Sequence, residues 1–105
     1  MQICVYLGSR EGKDPRFAEA TDALGAAIAR RGWGLVYGGA RNGLMGRLAN
    51  ACLAEGGEVI GVMPEHLVQR EVSHHGLTRL IRVDNMHERK AAMAAHADAF
   101  IALPG

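Results

Sequence analysis

Val36-Tyr37-Gly38-Gly39-Ala40-Arg41-Asn42-Gly43-Leu44-Met45-Gly46 is the stretch on which the fold turns. Leu35-Val36-Tyr37 is a short β-branched and aromatic run that stops at paired glycines, as a buried strand does. A helical pattern then begins near Gly43 and runs to Glu55, with Leu44, Leu48 and Cys52 on one face and Gly56-Gly57 as its stop. This is one strand–turn–helix unit, and the flanking sequence repeats its grammar. Upstream, Ile3-Cys4-Val5-Tyr6-Leu7 reads as a strand ended by Gly8-Ser9. Asp14-Pro15 opens a helix, since Asp caps well and Pro is tolerated at the first helical position. Phe17, Ala20, Leu24, Ala27 and Ile28 form its expected buried stripe, and Gly32 ends it after Arg30-Arg31, cations suited to the negative end of the dipole. Downstream, Val59 to Met63 is a strand closed by Pro64, and Glu65 to Arg79 fits either a short helix or a loop. Leu80 to Val83 is a fourth strand, Met86 to Ala97 a helix, and Ala99 to Leu103 a fifth strand meeting Pro104-Gly105.

Apolar strands alternating with amphipathic helices imply parallel strands covered on both faces, because each crossover lays a helix over the sheet. The expected fold is α/β, a Rossmann-like open parallel sheet that stops after the fifth strand. At 105 residues there is room for one domain, 1–105, and no linker, internal repeat or low-complexity tract divides it. A last strand ending at the final residues leaves an edge without a closing helix, so the expectation is a fragment or the ordered part of a longer protein.

Composition removes several classes of function. Lys and Arg number 12 against 11 Asp and Glu, for a net charge of +1, without the basic excess of a protein that coats nucleic acid. No apolar run approaches membrane-spanning length, and the first residues lack the basic start and cleavage site of a signal peptide. No nucleic-acid or membrane partner is therefore expected. Cys4 and Cys52 sit in separate apolar stretches outside any metal-spaced pair, which predicts buried free thiols in a reducing cytoplasm.

Each strand's carboxyl end carries loop chemistry, and in open α/β sheets ligands bind beyond those ends where the strand order reverses. Paired glycines leading into a helix allow close backbone approach to a ligand and present N–H groups at a positive helix end. The stretch is not the dinucleotide fingerprint, because Arg41 stands where GxGxxG ending at Gly46 needs glycine, and it lacks the GK[ST] of a P-loop. Tight strand–helix packing is the competing reading of these glycines. Gly8-Ser9-Arg10 is a second candidate cradle or an ordinary turn. In Met86-His87-Glu88-Arg89-Lys90, at 100° per residue, Arg89 and Lys90 fall within about 60° of the line through Met86, Met93 and Ala97. Two cations so close to an apolar stripe call for an anionic ligand, an internal acid, or snorkelling to water. Arginine forks suit phosphates and planar anions. Glu65, His66, Glu71, His74 and His75 are metal-ligating types, but their spacing matches no metal motif, and no metal site is expected.

The chain resembles the Lonely Guy family of nucleoside-monophosphate phosphoribohydrolases, long labelled lysine decarboxylase-like. The segments ICVYLGSREG, LVYGGARNGLMG, GGEVIGVMPEHL, MHERKAAM and ADAFIALPG carry the resemblance over essentially the whole length. Ala40 stands where the family usually has a third glycine. The resemblance implies hydrolysis of the N-glycosidic bond of AMP or a cytokinin riboside 5′-monophosphate, releasing free base and ribose 5-phosphate. It also implies a homodimer and no metal or redox cofactor. By position, Arg89 matches the catalytic arginine, Lys90 a nucleotide-binding neighbour, and Glu71 an acid contacting substrate. The expected substrate surface comprises Gly8, Ser9, Gly38, Gly39, Gly43, Met45, Gly46, Glu71, Met86, Arg89, Lys90, Pro104 and Gly105. Of the family's PGGxGTxxE motif the chain supplies only Pro104-Gly105, so its catalytic glutamate is expected beyond residue 105 and this chain alone is expected to be inactive. A non-catalytic nucleotide-binding or carrier module of the same fold is the alternative. Amino-acid decarboxylation would need pyridoxal phosphate on a Schiff-base lysine, and the chain offers only Lys13 and Lys90.

Overall fold

A computed structural model describes residues 1–8, 14–70 and 72–103. Ser9, Glu71, Pro104 and Gly105, all expected at the site, lie outside the described residues. The elements are β1 (Gln2–Tyr6), α1 (Pro15–Arg30), β2 (Gly34–Tyr37), α2 (Gly43–Ala54), β3 (Glu58–Pro64), α3 (Glu65–Val68), β4 (Arg79–Val83), α4 (Met86–Ala95) and β5 (Ala99–Ala102). The strands form one parallel sheet in the order β4-β3-β2-β1-β5. The chain thus winds outward from β1 to β4, then returns through α4 to pair β5 on the other side of β1. The strand order reverses at β1, which makes its carboxyl end the place to look for a ligand.

Alternation along each strand builds a core on both sides of the sheet. On one face Ile3, Val5, Leu35, Tyr37 and Val59 pack with Ile28 of α1 and Leu48, Ala49 and Cys52 of α2. On the other, Cys4, Val36, Ile60 and Val62 pack with Met93 of α4. Central strands with both faces covered read in sequence as unbroken apolar runs, which is why their positions were predictable. Both cysteines are buried and free, as expected.

Helix boundaries follow their caps. The Asp14 carboxylate accepts from the Arg16 backbone N–H at 2.9 Å, with Pro15 at the first helical position. Of the segment 65–79, Glu65–Val68 form α3 and Arg79 already belongs to β4, while the described residues between them belong to no named helix or strand. The buried stripe of α1 differs from expectation. Ala18, Thr21, Gly25 and Ile28 face inward, while Phe17 is 45% exposed. The cause is close helix–helix packing: a Cβ added at Gly25 would lie 2.6 Å from the Leu48 carbonyl oxygen, so α2 approaches along the small residues. The Thr21 hydroxyl enters this contact satisfied, donating to the Phe17 carbonyl at 2.7 Å.

Candidate functional site

A cavity of about 190 Å³ opens at the carboxyl ends of β1 and β2. Val5, Tyr6 and Leu7 line it from β1, Gly38 from the end of β2, Met45 from the first turn of α2, and Met86, Arg89, Lys90 and Met93 from α4. Its walls are apolar and its cations come from one helix turn. That turn is held by a reciprocal cap: the Asn85 side chain accepts from the Glu88 N–H at 2.8 Å, and the Glu88 carboxylate accepts from the Asp84 N–H at 2.9 Å.

Arg89 reaches from α4 across the sheet ends. Its Nε donates to the Val62 carbonyl of β3 at 2.9 Å, and Nη2 donates to the Gly38 carbonyl at 2.5 Å. Nη1 lies 3.9 Å from the Met86 sulfur. Among the described residues no carboxylate comes within ion-pairing distance of this guanidinium. Burial pulls its pKa below the ordinary arginine value, a desolvation effect that leaves it charged at neutral pH. To the expected alternatives of anionic ligand, internal acid or snorkelling, the structure adds backbone carbonyls at the carboxyl ends of two strands. They neutralise no charge. Lys90, its neighbour, is exposed at the mouth of the cavity.

On the other side of Met45 and Arg89, Ala40, Asn42, Met63, Leu67 and Val72 complete a second cavity of about 290 Å³. Its rim is the loop before β4, laid across the β2–α2 turn. Arg41 N–H donates to the Val72 carbonyl at 3.0 Å and His74 N–H to the Gly39 carbonyl at 2.8 Å. The Gly76 N–H donates to His74 Nδ1 at 2.9 Å, which makes Nδ1 the unprotonated nitrogen and assigns the proton to Nε2, 2.6 Å from Asn50 Oδ1. Burial, aided by the nearby His75, lowers the His74 pKa. The Tyr37 hydroxyl fastens the same turn from below, donating to the Ala40 carbonyl at 2.8 Å.

The expected site residues divide accordingly. Gly38, Met45, Met86, Arg89 and Lys90 meet at the first cavity, and Gly8 follows the lining residue Leu7. Gly39 lines neither cavity; its φ of 86° is left-handed, and it packs against Met63, Leu80 and Gly61. Gly46 sits under the turn, where a Cβ would strike the Arg41 carbonyl at 1.9 Å, and Gly43 opens α2. Val72, next to Glu71, reaches the second cavity. Leu7 and Val5 were not expected at the site, although both stand beside the Gly8 cradle in sequence. The Val62 carbonyl carries no side-chain signal and was invisible to motif reading.

Two of the metal-type residues, Glu65 and His74, are engaged in hydrogen bonds. Glu65 accepts from Arg82 Nε at 2.8 Å, from Arg82 Nη2, and from Gln69 at 2.9 Å. These hydrogen bonds, Arg82 first, lower its pKa to about 2. Among the described residues no three His, Cys, Asp or Glu side chains converge to hold a metal.

The family model described as "Possible lysine decarboxylase" matches residues 45–105. The chain belongs to this family. Its similarity to curated proteins extends over nearly its whole length and carries the Lonely Guy activity name. It is 52% identical over 104 residues to the cytokinin riboside 5′-monophosphate phosphoribohydrolase of Rhodococcoides fascians, covering 98% of this chain and 52% of that protein. It is 48% identical to the enzyme named cytokinin riboside 5′-monophosphate phosphoribohydrolase LOG of Oryza sativa subsp. japonica, covering 99% and 43%. The chain thus spans about half the length of the curated relatives it matches. In fold it is similar to the molybdenum cofactor binding protein of Rippkaea orientalis, with a TM-score of 0.84 at 22% identity over 99% of this chain and 62% of that one. The molybdenum cofactor carrier protein of Chlamydomonas reinhardtii superimposes with a TM-score of 0.82 at 22% identity, again over 99% and 62%. The decarboxylase wording of the family description finds no support at the cavity. Among the described residues its lining holds the exposed Lys90 and no carboxylate to pair with a pyridinium nitrogen, so these residues do not fit pyridoxal phosphate.

Proposed function

We propose that the protein hydrolyses the N-glycosidic bond of nucleoside 5′-monophosphates, AMP or a cytokinin riboside 5′-monophosphate, to free base and ribose 5-phosphate. The observation that carries this reading is Arg89: a half-buried guanidinium at the strand ends, held by two carbonyls and met by no described carboxylate. A cation removed from water without a counter-charge favours an anionic ligand beside it. Lys90 adds a mobile point charge at the cavity mouth, and the apolar walls suit the flat faces of a base.

In this reading Arg89 binds and orients the nucleotide. The leaving base departs more readily when hydrogen-bonded, and the developing oxocarbenium charge is stabilised by a carboxylate near the sugar while water attacks the anomeric carbon. In the family pattern that carboxylate belongs to the motif PGGxGTxxE, whose first two residues match Pro104-Gly105, and residues 1–105 contribute the nucleotide-binding Arg89 and Lys90. By its match to the family pattern, Glu71 contacts the base or ribose. The protein acts as a homodimer in the cytoplasm, a compartment consistent with the two buried free thiols.

Incubation of the full-length protein with AMP releases adenine and ribose 5-phosphate, resolved by chromatography. Arg89→Ala lowers kcat/KM by about 10²-fold or more, the scale of losing one aligned charge-stabilising donor. Absence of base release from AMP and from N6-modified analogues overturns the proposal. Binding of AMP by calorimetry without any turnover would assign the carrier role instead.

A further inference from the structure

The adjacent glycines that close β2 are glycines for different physical reasons. Gly39 has a φ of 86°, a conformation that a side chain disfavours in any surroundings. Gly38 is not among the positive-φ glycines, so its backbone would accept alanine. What excludes a side chain there is Arg89. A Cβ built on Gly38 would stand 2.2 Å from Nη2 and 3.2 Å from Cζ of that guanidinium. The next atom is the terminal methyl of Met45 at 3.3 Å, the movable end of a flexible chain. The Gly38 carbonyl meanwhile accepts from the same Nη2.

We propose that Gly38 is a positioning residue for Arg89. Its missing side chain makes the slot into which the guanidinium lies, and its carbonyl, with that of Val62, fixes the rotation of the fork. Two of the five N–H donors are thereby spent on the sheet ends, and Nη1, which meets only the weakly accepting sulfur of the lining residue Met86, keeps donor capacity for the nucleotide. Such over-determination is what an oriented anion-binding arginine requires, because a few tenths of an ångström in the fork alter a bidentate contact. The inference rests on the proposed function for its ligand but not for its packing.

A double-mutant cycle on the full-length protein tests it, read by thermal melting and by calorimetric binding of AMP. Gly38→Ala alone lowers the melting temperature by about 4 °C or more and weakens AMP binding about tenfold or more. In the Arg89→Ala background the same change moves melting by about 1 °C or less and AMP affinity by about twofold or less, because the obstruction is gone. Gly38→Ala combined with Arg89→Lys, which lacks Nη2 and Cζ, melts like Arg89→Lys alone. Equal losses in all backgrounds overturn the inference, since they would mean that Gly38 serves the β2 turn independently of Arg89. If Gly38→Ala alone does not fold, recovery of folding in Gly38→Ala/Arg89→Ala supports the inference and continued failure overturns it. A wild-type protein that binds no AMP refutes the functional reading, while the melting cycle still decides the packing claim.

Discussion

The two faces of the sheet are made differently. On the α1–α2 side, Leu35, Tyr37, Leu48, Cys52 and Val59 are fully buried, and Gly25 lets the helices meet at backbone distance. On the α4 side, one short helix covers Cys4, Val36, Ile60 and Val62, while Met86 remains 49% exposed. There Tyr6 of β1 and Phe100 of β5 stack at 6.1 Å between ring centroids, yet stay 38% and 53% exposed. The sealed face supplies packing. The thinly covered face carries Arg89, which meets no carboxylate among the described residues, and the cavity opens at the strand ends between α4 and the first turn of α2; a charge is more easily kept there because fewer apolar neighbours have to accommodate it.

The most disruptive way to probe this contrast is Leu48→Ala, which empties a fully buried position on the sealed face. It should cost about 2–5 kcal/mol in a urea titration, while the folded fraction keeps wild-type AMP affinity. A comparable loss of affinity would show that the two faces are not separable. Asn85→Ala acts on the other face, removing the cap that starts α4. About 1 kcal/mol of stability is at stake in a thermal melt, accompanied by weaker AMP binding, because α4 carries both Arg89 and Lys90. Normal AMP affinity in that variant would detach the cap from the site.

The smallest effect belongs to the sheet edge, where Glu65 and Arg82 pair at the surface. The folded pKa of Glu65, about 2, lies below its ordinary value of 4.5. A depressed carboxylate contributes stability that is present above pH 4.5 and is lost as pH falls toward 2. Glu65→Gln should therefore be slightly less stable than wild type near neutrality and converge with it across that window, both being exposed partners screened by water. Parallel acid-denaturation curves for the two proteins would remove the pair from the balance.

Much of the fold was legible because its signals are local. Asp14-Pro15, Gly32 and Gly56 mark helix limits through backbone geometry that neighbours do not alter, and doubly covered strands must be apolar throughout. The stripe of α1 was misjudged because burial there follows close approach at Gly25, not side-chain size. Of the site, Arg89 was legible as a cation beside an apolar stripe, and the glycines as places of close approach. Which glycine serves the backbone and which serves a side chain was not, since φ and the neighbour that fills the gap are properties of the folded chain.

The sequence by itself determined the alternation of strands and helices, the loop chemistry gathered at the strand carboxyl ends and the presence of a poorly placed cation on α4. Those follow from periodicity, capping and desolvation, all short-range. Only the tertiary structure decided the strand order β4-β3-β2-β1-β5, the second cavity beyond Met45, and the partners of Arg89. Those partners are backbone carbonyls from two strands far from residue 89 in the chain. A carbonyl is common to every residue, so no amino-acid code records which one a folded arginine will meet.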